Sequence, residues 1–201
     1  SGELLKQVDL RGKTIVNKSV MLSTSMAGGA IIQNFTFELF IKAQSSGEQD
    51  ELFYQGTAVF GYFSADSLTN QLGIDNGKVT QPWFVNQQTP TSNIEKIDLR
   101  DKNLAYYQAP VNKPHYKLAG GQLNFIDHVS VVEGGGDHQI AYLLGERTID
   151  ASDWFFRYHF HQDPVMPGSL GVEAIIELLQ TYALKNDLGA SFTNPRFIAP
   201  K

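Results

Sequence analysis

His159 and Glu173 stand fourteen residues apart, and their types and spacing invite acid–base chemistry. Between them runs Pro164-Val165-Met166-Pro167-Gly168. Its two prolines fix the backbone φ angle, and its glycine allows a tight turn into a helix. An imidazole titrates at about 6.5, so it moves protons either way near neutrality. Glu173 falls one turn into the run from Leu170 to Leu184, which is apolar on almost every face. A helix of that kind is expected to be buried, and burial raises a carboxyl pKa. Glu177 lies four residues further along the same face and adds like-charge pressure in the same direction. A rigidly placed histidine opposite a buried carboxylate is a candidate base and acid pair. The N–H groups of Gly168 and Ser169 open the helix, where free donors and the macrodipole favour a developing negative oxygen.

A rival pattern overlaps this one. His159-x-His161-x-Asp163 matches the beginning of an HxHxDH metal motif, but Pro164 stands where the next histidine belongs. His115, His128 and His138 form no second ligand cluster, so no metal is expected. Asp163 before proline reads as a turn residue, and His161 as a surface or supporting one. The run Trp154-Phe155-Phe156 is expected to pack against a sheet, with a pocket wall as the competing role.

Composition narrows the class. The chain is 42% hydrophobic over 201 residues, enough for one sizeable domain or two small ones. It has no cysteine, which removes disulfides, zinc thiolate sites and a cysteine nucleophile, and fits a reducing, cytoplasmic setting. A formal charge of −5 without a dense basic run argues against nucleic-acid binding. No stretch approaches the roughly 20 apolar residues of a membrane span. The N-terminus lacks the apolar core of a signal peptide, and the missing initiator Met suggests a piece of something larger.

The elements that must position the pair read as follows. Residues 13–22 form a strand, broken by Gly28-Gly29. Phe35, Phe37, Leu39 and Ile41 then alternate with polar residues at period two. A turn cluster at 45–50 leads into a long strand over 51–63, hairpinned to the last. Ser64 or Asp66 is placed to cap a short helix ending at Gly73. Residues 76–117 are rich in Gln, Asn, Thr, Pro and Lys, which predicts a linker wrapping a surface, with a short helix near 98–107. Two strands follow, at 123–132 and 139–144, and then the motif and its helix, with Gly189 as a stop. A further strand begins at 197–201. Strands plus one long helix give an α+β class, in three parts: 1–75, the linker 76–117, and 118–201.

The stretch His159–Ala174, HFHQDPVMPGSLGVEA, resembles the signature of hot-dog-fold 3-hydroxyacyl-carrier-protein dehydratases. It is closest to the 3-hydroxydecanoyl type and to the dehydratase domains of polyunsaturated fatty acid synthases. The resemblance is dense over residues 118–186 and weaker over 10–75. It implies an antiparallel sheet wrapped around a long central helix. It also implies dehydration of 3-hydroxyacyl thioesters to 2-enoyl thioesters in fatty acid synthesis, with isomerase activity as an extension. His159 is then the base and Glu173 the acid. Gly168 N–H polarises the thioester carbonyl and Val165 C=O orients the imidazole. Glu177 departs from the family's usual Gln, which holds the catalytic carboxylate.

No cofactor is implied; the substrate rides on the phosphopantetheine of an acyl carrier protein. The resemblance further implies pairing, as a homodimer or with a second hot-dog unit, because His159 faces the acid of its neighbour. Residues 1–75 look like the back half of one hot-dog unit and 118–201 like the front half of another. Either a tandem pair or one permuted unit fits that order. The competing functions are a non-catalytic hot-dog module that binds carrier protein or scaffolds a synthase, and a hot-dog thioesterase, which the HF–DPVMPG turn disfavours.

Overall fold

The computed structural model describes residues 1–69, 76–160 and 164–197. It divides into two compact units, Ser1–Val79 and Thr80–Lys201. The first unit is a four-stranded antiparallel sheet in the order β1-β4-β3-β2. Its strands are β1 (Gly2–Leu4), β2 (Ile15–Ala27), β3 (Ala30–Ile41) and β4 (Glu51–Phe63). The Gly28-Gly29 break makes the β2–β3 turn, and both glycines adopt positive φ. Ser64 rather than Asp66 caps the short helix α1 (Ala65–Thr69), accepting the Ser67 N–H at 3.2 Å. The expected helix end at Gly73 lies outside the described residues.

Register sorts this sheet into two faces. Met21, Phe35 and Ala58 share one side with Ser19, Phe37 and Gly56. Rings pack there, Phe35 on Phe60 and Phe37 on Tyr54. The other side carries Lys18, Glu38 and Gln55 in one row. Phe53 is the one large apolar side chain of the unit that is buried among the described residues.

The second unit is built around a three-stranded antiparallel sheet, β5-β6-β7. These strands are β5 (Glu95–Asp98), β6 (His128–Glu133) and β7 (Ala141–Glu146). Central β6 is buried on both faces. Val129 and Val131 join Ile97, Leu99, Leu118 and Ile126 in one core, against which Ala174, Leu178 and Tyr182 of the long helix pack. On the opposite face Trp83 of α2 (Trp83–Asn86) stacks on Tyr142, and Phe84 meets the same ring edge-on. Two more helices follow, α3 (Trp154–Tyr158) and α4 (Gly168–Lys185).

The expected linker is corrected from Thr80 onward. That stretch supplies α2, the edge strand β5, and the buried Ile97, Leu99 and Tyr116. A single 3₁₀ turn at Ala105–Tyr107 stands where a helix near 98–107 was expected. The segment also closes the end of α4. Tyr116 Oη donates to Ala183 O at 3.0 Å and accepts the Gly189 N–H at 2.8 Å, and Lys113 Nζ donates to Gly189 O and Ala190 O. The strand expected to begin at 197–201 falls almost wholly outside the described residues.

The helix α4 occupies the predicted place, but it is not buried all round. Its buried residues are Leu170, Glu177 and Thr181, while Val172, Ile175 and Leu179 are 56–60% exposed. One face lies on the sheet and the other is open. Among the described residues no helix is long and apolar enough to cross a membrane.

Candidate functional site

The site begins with how the chain reaches the turn. Phe155 of α3 is buried against Phe125 and Leu170, with Trp154, Phe156 and Met166 around them. The aromatic run therefore packs on α4 and the 124–126 loop rather than lying flat on the sheet. The helix stops at Tyr158, and His159 adopts extended backbone angles. The chain then folds back on itself, and Val165 N–H donates to His159 O at 3.0 Å.

The imidazole is tied to the same residue. Nδ1 of His159 lies 3.0 Å from Val165 O. A carbonyl only accepts, so Nδ1 carries the hydrogen of the neutral ring and Nε2 keeps its lone pair. The ring also packs against Phe160, 4.2 Å between centroids. His159 is thus a half-buried imidazole with one nitrogen spent on orientation and the other, among the described residues, free to take a proton. His161 and Asp163 lie outside the described residues.

Pro167 sets the start of α4, and no side chain caps it. Leu170 N–H turns back to Pro167 O at 2.9 Å. The N–H groups of Gly168 and Ser169 come before any intrahelical acceptor, so among the described residues they remain free donors at the positive end of the helix dipole. Gly168 has an ordinary negative φ, and a Cβ built on it meets nothing within 4 Å. The backbone therefore does not demand glycine there, contrary to the sequence expectation. What the glycine provides is open space beside an exposed donor.

Glu173 does not sit where the sequence predicted. It is exposed, one turn into α4, on the open side of the helix. Among the described residues no hydrogen bond or ion pair joins it to His159. The buried carboxylate is Glu177, which is 5% exposed. The difference arises because the Asn124–Ile126 loop closes over the Glu177 carboxylate, while Glu173 lies at the edge of the covered stripe. Glu177 Oε2 accepts from Phe125 N–H at 2.6 Å and Ile126 N–H at 3.0 Å, and Oε1 accepts from Asn124 Nδ2 at 2.8 Å. Burial pushes the Glu177 carboxyl up, and these donors only partly offset it. Thr181, fully buried, returns its hydroxyl to Glu177 O.

The network extends in both directions. Asn124 Nδ2 also donates to Tyr107 Oη, which donates to Leu99 O at 2.7 Å. Burial first, then the charge of Glu177, pushes the Tyr107 phenol up to about 12. Lys102 Nζ donates to Asn124 Oδ1 and lies over the Tyr107 ring. On the other side Arg147 donates to Asn124 O at 3.0 Å and to Asp153 Oδ1 at 2.5 Å, just ahead of α3. No signal in the sequence marked Asn124, Tyr107 or Arg147, because the bonds that join them to one another and to Glu177 span 17 to 53 residues. Among the described residues no group of three or more His, Asp or Glu side chains is placed to hold a metal ion.

An antiparallel sheet carrying one long helix, with a histidine held on the turn that enters that helix, is the α+β arrangement of the hot-dog dehydratases. Residues 118–201, within the second unit, match the FabA-like domain of the hot-dog dehydratases. The chain is also similar to a polyunsaturated fatty acid synthase subunit of Thraustochytrium sp., 36% identical over 188 residues. That similarity covers 90% of this chain and 12% of the relative, so the chain spans a small part of that protein. No solved structure matches the chain.

Proposed function

We propose that this chain dehydrates 3-hydroxyacyl thioesters, carried on the phosphopantetheine of an acyl carrier protein, to 2-enoyl thioesters within a cytoplasmic fatty acid synthase. The observation that carries the reading is the Nδ1–H of His159 on Val165 O, which leaves Nε2 as a base beside the uncapped start of α4. In the reaction Nε2 takes a proton from C2 of the substrate. The electrons of that C–H bond become the C2=C3 bond, and the C3–O bond breaks. The hydroxyl takes a proton from the Glu173 carboxyl and leaves as water. Transient charge on the thioester oxygen is met by the N–H groups of Gly168 and Ser169, and the open space at Gly168 admits the carbonyl. Exchange with solvent returns one proton to Glu173 and removes one from His159. No cofactor takes part.

Two features support pairing. Glu173 is exposed and unpaired with the His159 of its own chain, so each residue is free to meet a partner from another hot-dog unit. The open apolar face of α4 also asks for cover. We read Ser1–Val79 as the closing, sheet-rich half of one hot-dog unit and Thr80–Lys201 as the opening half of another.

The direct test is turnover of a 3-hydroxyacyl thioester by the 201-residue chain, followed by the ultraviolet absorbance of the conjugated enoyl product. Absorbance should rise with enzyme concentration, and a later fall would report the same base moving the double bond. No rise, on carrier protein or on a small thioester, overturns the reading.

A further inference from the structure

The base follows one helix and the acid sits on another, and a single loop ties both helices. Asn124–Ile126 receives α4 through Glu177, by three hydrogen bonds. It receives the approach to α3 through Arg147, which joins Asn124 O to Asp153. The helix α3 ends at Tyr158, and His159 follows it directly. Glu173 lies one turn, about 6 Å, before Glu177 along α4. Rotation or sliding of α4 would break all three bonds to Glu177. Wherever the loop fixes Glu177, it therefore fixes Glu173 and the Gly168 N–H as well.

A carboxylate accepts from all of its partners here at once. All three partners of Glu177 donate: two backbone N–H groups and the Asn124 amide. A glutamine would use its oxygen on the backbone pair and turn its NH₂ toward the Asn124 NH₂. Flipping Asn124 does not relieve this, because its NH₂ would then face Lys102 Nζ, which now donates to Asn124 Oδ1. Flipping Asn124 would also remove the donor that Tyr107 Oη now accepts from, so every assignment with an amide at 177 costs this network at least one hydrogen bond.

We propose that Glu177 is a positioning residue, whose carboxylate on the Asn124–Ile126 loop sets the register of α4 and so the placement of Glu173 and Gly168 N–H relative to His159. This rests on the dehydratase reading above. It gives a physical reason for glutamate where the resemblance has glutamine.

The test uses Glu177→Gln and the double variant Asn124→Asp/Glu177→Gln in the 201-residue chain. In the double variant the new carboxylate at position 124 accepts from the new amide at position 177 and from Lys102, so donors and acceptors match again. Glu177→Gln should lower kcat about 10- to 100-fold with KM little changed, because the acid is displaced while the thioester is still admitted. Amide hydrogen exchange at Phe125, Ile126 and the first turn of α4 should accelerate, with β6 still protected. The double variant should recover most of both losses.

Wild-type kcat in Glu177→Gln overturns the proposal, as does a loss matched by the unfolded fraction that the double variant does not restore. If the wild-type chain itself fails to dehydrate, the dehydratase reading falls instead. Hydrogen exchange then judges the anchor alone, and unchanged protection at Phe125 and Ile126 in Glu177→Gln overturns it.

Discussion

Mixing two dead variants tests the shared site most sharply. Nδ1 of His159 is spent on Val165 O, and among the described residues Nε2 is free. Glu173 is exposed, and among the described residues it makes no contact with that imidazole. If the acid that serves His159 comes from a second copy, His159→Ala and Glu173→Gln damage different halves of each site. Each variant alone should lose about 10²- to 10⁴-fold in turnover, the usual contribution of one general base or acid. Neither should unfold, since Glu173 is exposed and the turn retains Val165 N–H on His159 O without the imidazole. Equal amounts, allowed to exchange, give mixed dimers as about half of all dimers. In each mixed dimer one site carries both substitutions and the other carries neither. Total activity should therefore return to about a quarter of the wild-type value at equal protein. The assay is enoyl absorbance before and after exchange, with mass-labelled protomers showing that exchange occurred. If exchange is complete and activity stays at the floor, the two-copy site is refuted. A verified monomer with full activity refutes it equally.

Gly168→Ala places a methyl group in the open space beside the exposed donor without requiring a new backbone conformation. Stability by chemical denaturation should stay within about 0.5 kcal/mol, while kcat/KM falls about 10²-fold as the thioester is displaced; unchanged kcat/KM would exclude that donor. Burial raises the Glu177 pKa above its value in the unfolded chain. The stability linked to it is present below the unfolded pKa and is lost as pH rises through the folded one. The difference in unfolding free energy between wild type and Glu177→Gln should therefore move in favour of wild type as pH falls from about 7 to about 4. The facing Tyr107 phenol, pushed up to about 12, does not titrate in that window, so a flat or reversed trend would mean that the three hydrogen bonds outweigh burial.

Local chemistry was legible in the sequence. Two prolines around Val165-Met166 and an apolar run after Gly168 placed the turn and α4, because φ restriction and helical periodicity are properties of neighbouring residues. The hairpin strands β3 and β4 followed from period-two alternation for the same reason. The His159–Val165 tie came from the resemblance, and spans six residues. What the sequence could not show was which side of α4 would be covered. Glu173 and Glu177 are four apart and look alike on a helix, yet one is exposed and the other buried. A loop some fifty residues earlier crosses only the second. The segment after Thr80 misled for a related reason. Its buried anchors Ile97, Leu99 and Tyr116 are scattered among Gln, Asn and Pro, so no periodicity announces them. Their place is set by pairing with β6 and by the end of α4, contacts that exist only once the chain has folded.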